Sequence, residues 1–250
     1  MVGFLTTSSG PVAVDAVVLD MDGVLTDTAR VHRHAWADLF NRFLAEHAAG
    51  AEWTAFSEAD YLEHVDGKRR EDGIVDFLAA RGIRLPEEQV RGLGDEKNDA
   101  FLGALARDGV AVFPDTVAFL ARLAALGVPR ALITASRNAE PVLVRAALGA
   151  WFDAVVDGVV AARLALPGKP DPAVFVEAAR QLGTVPARTA VVEDAVAGVR
   201  AGRAGGFALV VGLDRSDDPA HVARLRDAGA DLVLTTLDAL EVRAASTDPA

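Results

Sequence analysis

Val17-Val18-Leu19-Asp20-Met21-Asp22-Gly23-Val24 joins an apolar run to two carboxylates separated by one residue. A short apolar run of this kind reads as a buried strand, and acids at its end are aimed at whatever lies beyond the sheet edge. Gly23 lets the backbone leave by a tight turn. Acids at i and i+2 of a regular strand share a face, so the turn has to supply their fine aim. One carboxylate can then act as nucleophile and the other as acid or base. Asp and Gly also end strands for ordinary turn reasons, so the stretch needs support from elsewhere. Three further signals supply it in order: Thr134 after Ala131-Leu132-Ile133, Lys169 in Gly168-Lys169-Pro170, and Glu193-Asp194 after Ala190-Val191-Val192.

Outward from this stretch, short apolar runs at 131–133, 154–156, 190–192, 207–211 and 231–234 alternate with helical patterns near 116–126, 138–148, 172–182, 195–204 and 218–228. That alternation predicts βαβ units: an α/β fold with a Rossmann-like, doubly wound parallel sheet. Ligands then bind at the carboxyl ends of the strands, where Asp20, Thr134 and Asp194 all lie. Between the first and second of these strands, residues from about 28 to 106 show no strand pattern. Val31, Ala35, Leu39 and Phe43 recur on one helical stripe, Ser57-Glu58-Ala59-Asp60 reads as a capping box, and Gly82 and Pro86 punctuate later helices. The expected organisation is a discontinuous core at 14–28 and 108–240, an inserted α-helical cap at 29–107, and flexible termini at 1–13 and 241–250.

The converging residues have a joint chemistry. A carboxylate that attacks phosphorus forms a mixed anhydride and splits one hard displacement into two easier ones. Asp22 suits the acid/base role. Several acids around a phosphate repel it, and a hard divalent cation resolves the conflict; Mg²⁺ is the expected cofactor. Asp194 is the candidate ligand beside Asp20, with Glu193 as neighbour or indirect ligand, although acids also suit a helix entry. Thr134 can give a hydroxyl to a phosphate oxygen, and Ala135 and Ser136 can add backbone amides. Lys169, whose flanking Gly168 and Pro170-Asp171-Pro172 imply a loop held before a helix, can neutralise transition-state charge. Of the five histidines, His34, His47, His64 and His221 are expected to face solvent, which leaves His32 as the functional candidate. Trp36, Trp53 and Trp151 are expected in packing roles.

The 250-residue chain has a formal net charge of −11, which argues against non-specific grip on nucleic acid or anionic membrane. It has no cysteine, so disulfides, thiolate metal sites and a Cys nucleophile fall away. No run is long enough to span a membrane, and no secretory signal is read at the N-terminus, so a cytoplasmic location is expected; the chain is also expected to be a monomer. There is no P-loop and no Gly-x-Gly-x-x-Gly after a strand.

The four motifs together resemble the haloacid dehalogenase-like hydrolase superfamily, whose members mostly transfer phosphoryl groups through an aspartyl phosphate. Asp20 to Thr28 with His32, Gly67-Lys68-Arg69-Arg70-Glu71-Asp72, Lys97-Asn98-Asp99 and Thr134-Ala135-Ser136-Arg137-Asn138 are similar to the β-phosphoglucomutase branch, from Val14 to about Leu240. The resemblance implies an enzyme interconverting β-glucose 1-phosphate and glucose 6-phosphate. It implies Asp20 as the phosphorylated nucleophile and Asp22 as acid/base. Mg²⁺ would be held by Asp20, the Asp22 carbonyl and Asp194, and the transferring phosphoryl by Thr134, Ala135 and Lys169. Arg70, Ser136 and Asn138 would meet the distal phosphate, and Thr28 and His32 would sit at the hinge. Lys97 and Asn98 would line the sugar pocket, with Gly67 in the cap loop. Two positions depart from the pattern: Thr134, where the best-known mutases carry Ser, and the extra charges of Lys68 and Arg69 beside Arg70. The alternatives are a Mg²⁺-dependent sugar-phosphate phosphatase on the same core and, in a different class, a non-catalytic sugar-phosphate sensor.

Overall fold

The computed structural model describes residues 3–7, 10–47, 52–216 and 218–244. Its strands are β1 (Gly3–Thr7), β2 (Gly10–Val14), β3 (Ala16–Asp20), β4 (Arg130–Ile133), β5 (Ala154–Val156), β6 (Thr189–Glu193), β7 (Leu209–Leu213), β8 (Leu232–Leu234) and β9 (Glu241–Ala244). The last six of these before β9 form one parallel sheet in the order β5-β4-β3-β6-β7-β8. Val17 to Asp20 pair with Arg130 to Ile133 on one side, and Ala16 to Leu19 with Thr189 to Val192 on the other. All five residues of β3 and all five of β6 are buried, as continuous apolar runs in a sheet covered on both faces require. The strand order reverses beside β3, so Asp20 ends at the crevice where open parallel sheets bind ligands.

Two apolar layers cover the sheet, one holding Leu19, Leu132 and Val192, the other Val18, Ile133 and Val191. They alternate because successive side chains of a strand point to opposite faces. The helices that follow the strands include α5 (Pro114–Ala125), α6 (Ala139–Ala146), α7 (Gly158–Arg163), α8 (Ala173–Gln181), α9 (Val196–Ala204) and α10 (Pro219–Asp227). These bear out the doubly wound parallel sheet. Helix α7, which carries no clear periodic signal, was absent from the sequence expectation.

Before them come α1 (Thr28–His47), α2 (Glu58–Asp60), α3 (Arg70–Ala80) and α4 (Glu87–Asp108). They enclose a separate apolar cluster built on Trp36, Phe40, Ile74 and Phe77. The apolar stripe of α1 is rotated from the expected one. Ala35 and Leu39 are buried, but so are Trp36, Phe40 and Leu44, while Val31 and Phe43 only flank the clusters. The chain leaves the sheet for these helices and returns along two adjacent strands of backbone. Asp27 N–H donates to Ala111 C=O at 3.0 Å and Phe113 N–H to Leu25 C=O at 3.1 Å.

The expectation of flexible termini does not match the described residues there. β2, β1 and β9 form an antiparallel sheet in which Leu5 pairs with both Val12 and Val242. Leu5 is fully buried on the core, with Val12 and Val242 partly buried around it. The Gly-, Ser- and Pro-rich composition hid this, because β1 and β9 pair across nearly the whole chain. The parts of this expectation at 1–2, 8–9 and 245–250 lie outside the described residues.

Candidate active site

Asp20 ends β3 almost fully buried. Its Oδ2 accepts the Asp22 backbone N–H at 2.9 Å, and its Oδ1 accepts from Lys169 Nζ at 2.6 Å. Lys169 also donates to Glu193 Oε1 at 2.6 Å, and Glu193 Oε2 accepts the N–H groups of Asp194 and Ala195. Carboxylate oxygens of Asp20, Glu193 and Asp194 lie within 4.8 Å of one another. Two glycines make room for this. A Cβ on Gly23 (φ +83°) would sit 1.8 Å from Asp194 Oδ2, and one on Gly198 would sit 1.7 Å from Glu193 Oε1.

Burial pushes the Asp20 carboxyl well above its ordinary range; Glu193 and Asp22 add to the push and Lys169 opposes it. Burial, then the charges of Glu193, Asp66 and Asp20, does the same to Asp194. Lys169 loses by burial but gains more from Asp20 and Glu193, and is held above the usual lysine range. Three carboxylates around one ammonium leave an excess of negative charge and a set of hard oxygen donors. This buried acidic cluster is chemically suited to a divalent cation. Both Glu193 oxygens are already hydrogen-bonded, whereas the Asp194 carboxylate accepts no hydrogen bond among the described residues. The Asp194 carboxylate is therefore the freer of the two, while Glu193 is engaged with Lys169.

Asp22 lies one turn beyond. Thr28 Oγ1 donates to its Oδ1, Thr134 Oγ1 donates to its Oδ2 at 3.1 Å, and His32 Nε2 stands 3.4 Å from Oδ1. Burial raises the Asp22 carboxyl, but His32, Thr28 and Thr134 outweigh it and bring it down to about 2. The His32 ring stacks on Phe101 with centroids 3.9 Å apart, and its Nδ1 is hydrogen-bonded to Lys97 Nζ. Lys97 is buried over the rings of Trp36 and Phe101. Burial, then the Arg70 charge, brings it down to about 7. Helix α1 thus brings Thr28 and His32 to Asp22, and α4 brings Lys97 to His32.

A cavity of about 570 Å³ spans the gap between these acids and the helices above. Asp20, Asp22, Thr134, Ala135, Ser136, Asn138, Lys169, Glu193 and Asp194 line it from the sheet side, and His32, Gly67, Arg70 and Lys97 from the helical side. Thr28 and Asn98 do not line it. Thr28 lies beneath Asp22, and Asn98 stands at the edge of the cavity between two residues of its lining. Its Oδ1 accepts from Arg70 Nη2 and from Asn138 Nδ2, each at 2.8 Å. The turn after β4 is shaped by its own side chains: Thr134 Oγ1 accepts Ser136 N–H at 3.0 Å, and Ser136 Oγ accepts Asn138 N–H at 3.1 Å.

Several groups escaped sequence reasoning. Asp66 lines the cavity from above, and burial, then the Glu193 charge, pushes its carboxyl up to about 6 despite a hydrogen bond from Tyr61. Burial and Asp66 in turn push the Tyr61 phenol well up. The one signal was Asp66's place before Gly67, whose φ of +70° marks a tight turn against Ala195. His221 was expected in solvent; it is 9% exposed, and its Nε2 lies 3.0 Å from the Asp194 carbonyl oxygen. His64 is half-buried beside Phe77. Trp53, expected in packing, is 41% exposed. The extra charges beside Arg70 are internally paired. Lys68 donates to Asp76 at 2.8 Å, and Arg69 makes two hydrogen bonds to Asp72 while crossing over Gly168.

A family model described as haloacid dehalogenase-like hydrolase matches residues 14–206. The chain is 43% identical over 239 residues to a β-phosphoglucomutase of Mycobacterium bovis, covering 91% of each chain. It is 32% identical over 201 residues to a β-phosphoglucomutase of Bacillus subtilis, covering 79% of this chain and 83% of that one. Among solved structures, a β-phosphoglucomutase from Clostridium difficile superposes with a TM-score of 0.74 at 23% identity, over 91% of this chain and 93% of that one; this likeness shows the fold. Among the described residues no helix is long and apolar enough to cross a membrane.

Proposed function

Because the chain belongs to the haloacid dehalogenase-like hydrolases, as an enzyme of phosphomutase or phosphatase type, we propose that it interconverts β-glucose 1-phosphate and glucose 6-phosphate through a phosphorylated Asp20. The observation that carries the reading is the pairing of two differently held carboxylates under a roof with its own cation. Asp20 is bonded to Lys169, Asp22 is turned toward Thr28 and Thr134, and Arg70 faces them across the cavity. In this reading residues 29–107 act as the cap over a core of 14–28 and 108–240.

With Asp20 phosphorylated, the ionised Asp22 removes a proton from the accepting hydroxyl of the sugar monophosphate, which attacks the aspartyl phosphate; the bond from phosphorus to Asp20 breaks and a sugar bisphosphate forms. In the second half Asp20 attacks the other phosphorus of that bisphosphate, the bond to the leaving oxygen breaks, that oxygen takes the proton from Asp22, and Asp20 is phosphorylated again. The contacts that bring Asp22 down to about 2 keep it ionised. Carrying that proton from one half to the other requires it to leave Thr28 and Thr134, which cap closure on a substrate can drive. Lys169 holds charge at the transferring group, with Thr134 and Ala135. Mg²⁺ fits Asp20, the Asp22 carbonyl and Asp194, where it would neutralise charge on the transferring phosphoryl.

The second reading is a sugar-phosphate phosphatase, favoured by Thr134 and by the same core chemistry; it requires only that water reach the phosphoaspartate. A coupled assay for glucose 6-phosphate formation from β-glucose 1-phosphate, run beside a phosphate-release panel, separates the two. Isomerisation is expected to exceed hydrolysis at least about tenfold, and Asp20→Asn to abolish both. Phosphate release without isomerisation would overturn the mutase reading, and turnover by Asp20→Asn the aspartyl-phosphate mechanism.

A further inference from the structure

Asn98 does not line the cavity, yet it joins the two residues that face each other across it. Arg70 opens α3 in the helical block, and Asn138 stands before α6 on the sheet side. The amide oxygen of Asn98 on α4 accepts from Arg70 Nη2 and from Asn138 Nδ2, each at 2.8 Å. Arg is only a donor, so the oxygen of Asn98 has to face it. The same oxygen then requires Asn138 to present its NH₂. Both lone pairs are in use.

The rest of α4 is shaped to aim Arg70 at this point. Gly94 lies one helical turn before Asn98, on the same face. A Cβ on Gly94 would meet Arg70 Cδ at 2.8 Å, so the arginine stem lies in a groove that only glycine leaves open. Asp95 stands 3.6 Å from Arg70 Nη1. On the other side Asn138 is tied through its N–H to Ser136 Oγ, in the turn that follows Thr134.

We propose that Asn98 is a positioning residue that couples cap closure to the distal-phosphate subsite, so that Arg70 and Asn138 form one anion-binding unit only when cap and core are apposed. This rests on the mutase reading above for the identity of the anion, but not for the coupling itself. Arg70 has five N–H donors and Asn138 a second amide hydrogen, so Asn98 leaves donors over for a phosphate. Seating that phosphate reinforces a contact that already draws the two sides together, and the closed cavity keeps water from the phosphoaspartate while the intermediate turns round. Without Asn98 the two donors are aimed independently and closure is looser.

The test is the ratio of isomerisation to hydrolysis with β-glucose 1-phosphate. It is paired with hydrogen–deuterium exchange of backbone amides at 96–99 and 135–138 in the unliganded protein. Asn98→Ala is expected to lower the ratio by about ten- to a hundredfold, mostly by raising hydrolysis, and to speed exchange at both segments. Alanine is a strong helix former, so α4 is expected to persist. Asn98→Asp keeps an acceptor of the same shape. It is expected to retain wild-type exchange and most of the ratio, while its charge raises KM for the sugar phosphate. Wild-type ratio and exchange in Asn98→Ala would overturn the coupling, as would equal damage by both substitutions. If the wild type does not isomerise at all but Asn98→Ala still speeds exchange at both segments, the coupling stands and the mutase reading falls.

Discussion

At Gly23 the Asp194 carboxylate occupies the space that a side chain would need. The turn after Asp22 has to pass between β3 and the end of β6, and φ at this glycine is +83°, where an L side chain is strained. Gly23→Ala therefore combines backbone strain with an overlap at 1.8 Å from Asp194 Oδ2. We expect a loss of about 2–4 kcal/mol in stability and a fall in turnover of at least about a hundredfold, because Asp194 has to leave the acid cluster. Urea unfolding and phosphate release on the purified variant check this. Wild-type values in both would mean that Asp194 moves aside at no cost. The same close fit explains why Lys169 is where it is. Its two partners come from different strands, and removing either carboxylate leaves a buried charge less well compensated.

Helix α2 is an element whose start was legible and whose end was not. Ser57 and Asp60 form a reciprocal capping box: Asp60 N–H donates to Ser57 Oγ at 3.1 Å, and Ser57 N–H to Asp60 Oδ2 at 2.8 Å. Instead of a long helix there follows a single widened turn, Tyr61–Val65, that brings Tyr61 and Asp66 over the acid cluster. Asp60 is also bound by Arg81 at 2.8 Å, so the box anchors this turn to the end of α3. Ser57→Ala is expected to cost about 1 kcal/mol by chemical denaturation, the usual worth of such a cap. No measurable loss would mean that the Asp60–Arg81 pair alone sets the turn.

Across the whole molecule, acids are carried to one cavity by elements far apart in the chain: β3, the end of β6, and the loop before α3. In the folded chain Asp20 and Asp194 hold their protons more tightly than the ordinary 3.8 of an unfolded aspartate. The stability these protons confer is full at low pH and is lost as pH rises through the raised values. A cation takes their place only once they have left. The rise in melting temperature produced by Mg²⁺ is therefore expected to be smaller at acid pH and to grow as pH rises through the raised values; at a hundred times its Kd the ion adds about 2.7 kcal/mol. Scanning calorimetry with Mg²⁺ and with chelator, on wild type and Asp194→Ala, checks this. The variant is expected to lose most of the rise. An equal rise at every pH, or in both proteins, would place the ion elsewhere.

The doubly wound sheet and the acids at its strand ends were readable in the chain itself, because burial on both faces demands runs such as 17–19 and 190–192, and turn chemistry places Asp and Gly directly after them. The capping box at Ser57 and the helical insert were local in the same sense. What lay beyond local pattern was every contact made between distant segments. The sheet of β1, β2 and β9 depends on Leu5 meeting Val12 and Val242. Asp66 gains its place in the site only when a loop from the helical block lands over β6. His221 leaves solvent because α10 packs its ring against the Asp194 carbonyl. Asn98 forms a bridge because Arg70 and Asn138, 68 positions apart, come within hydrogen-bond distance of one oxygen. Periodicity and turn propensity act over a few residues; only the folded chain decides which charges share a cavity, and with them which protons are held.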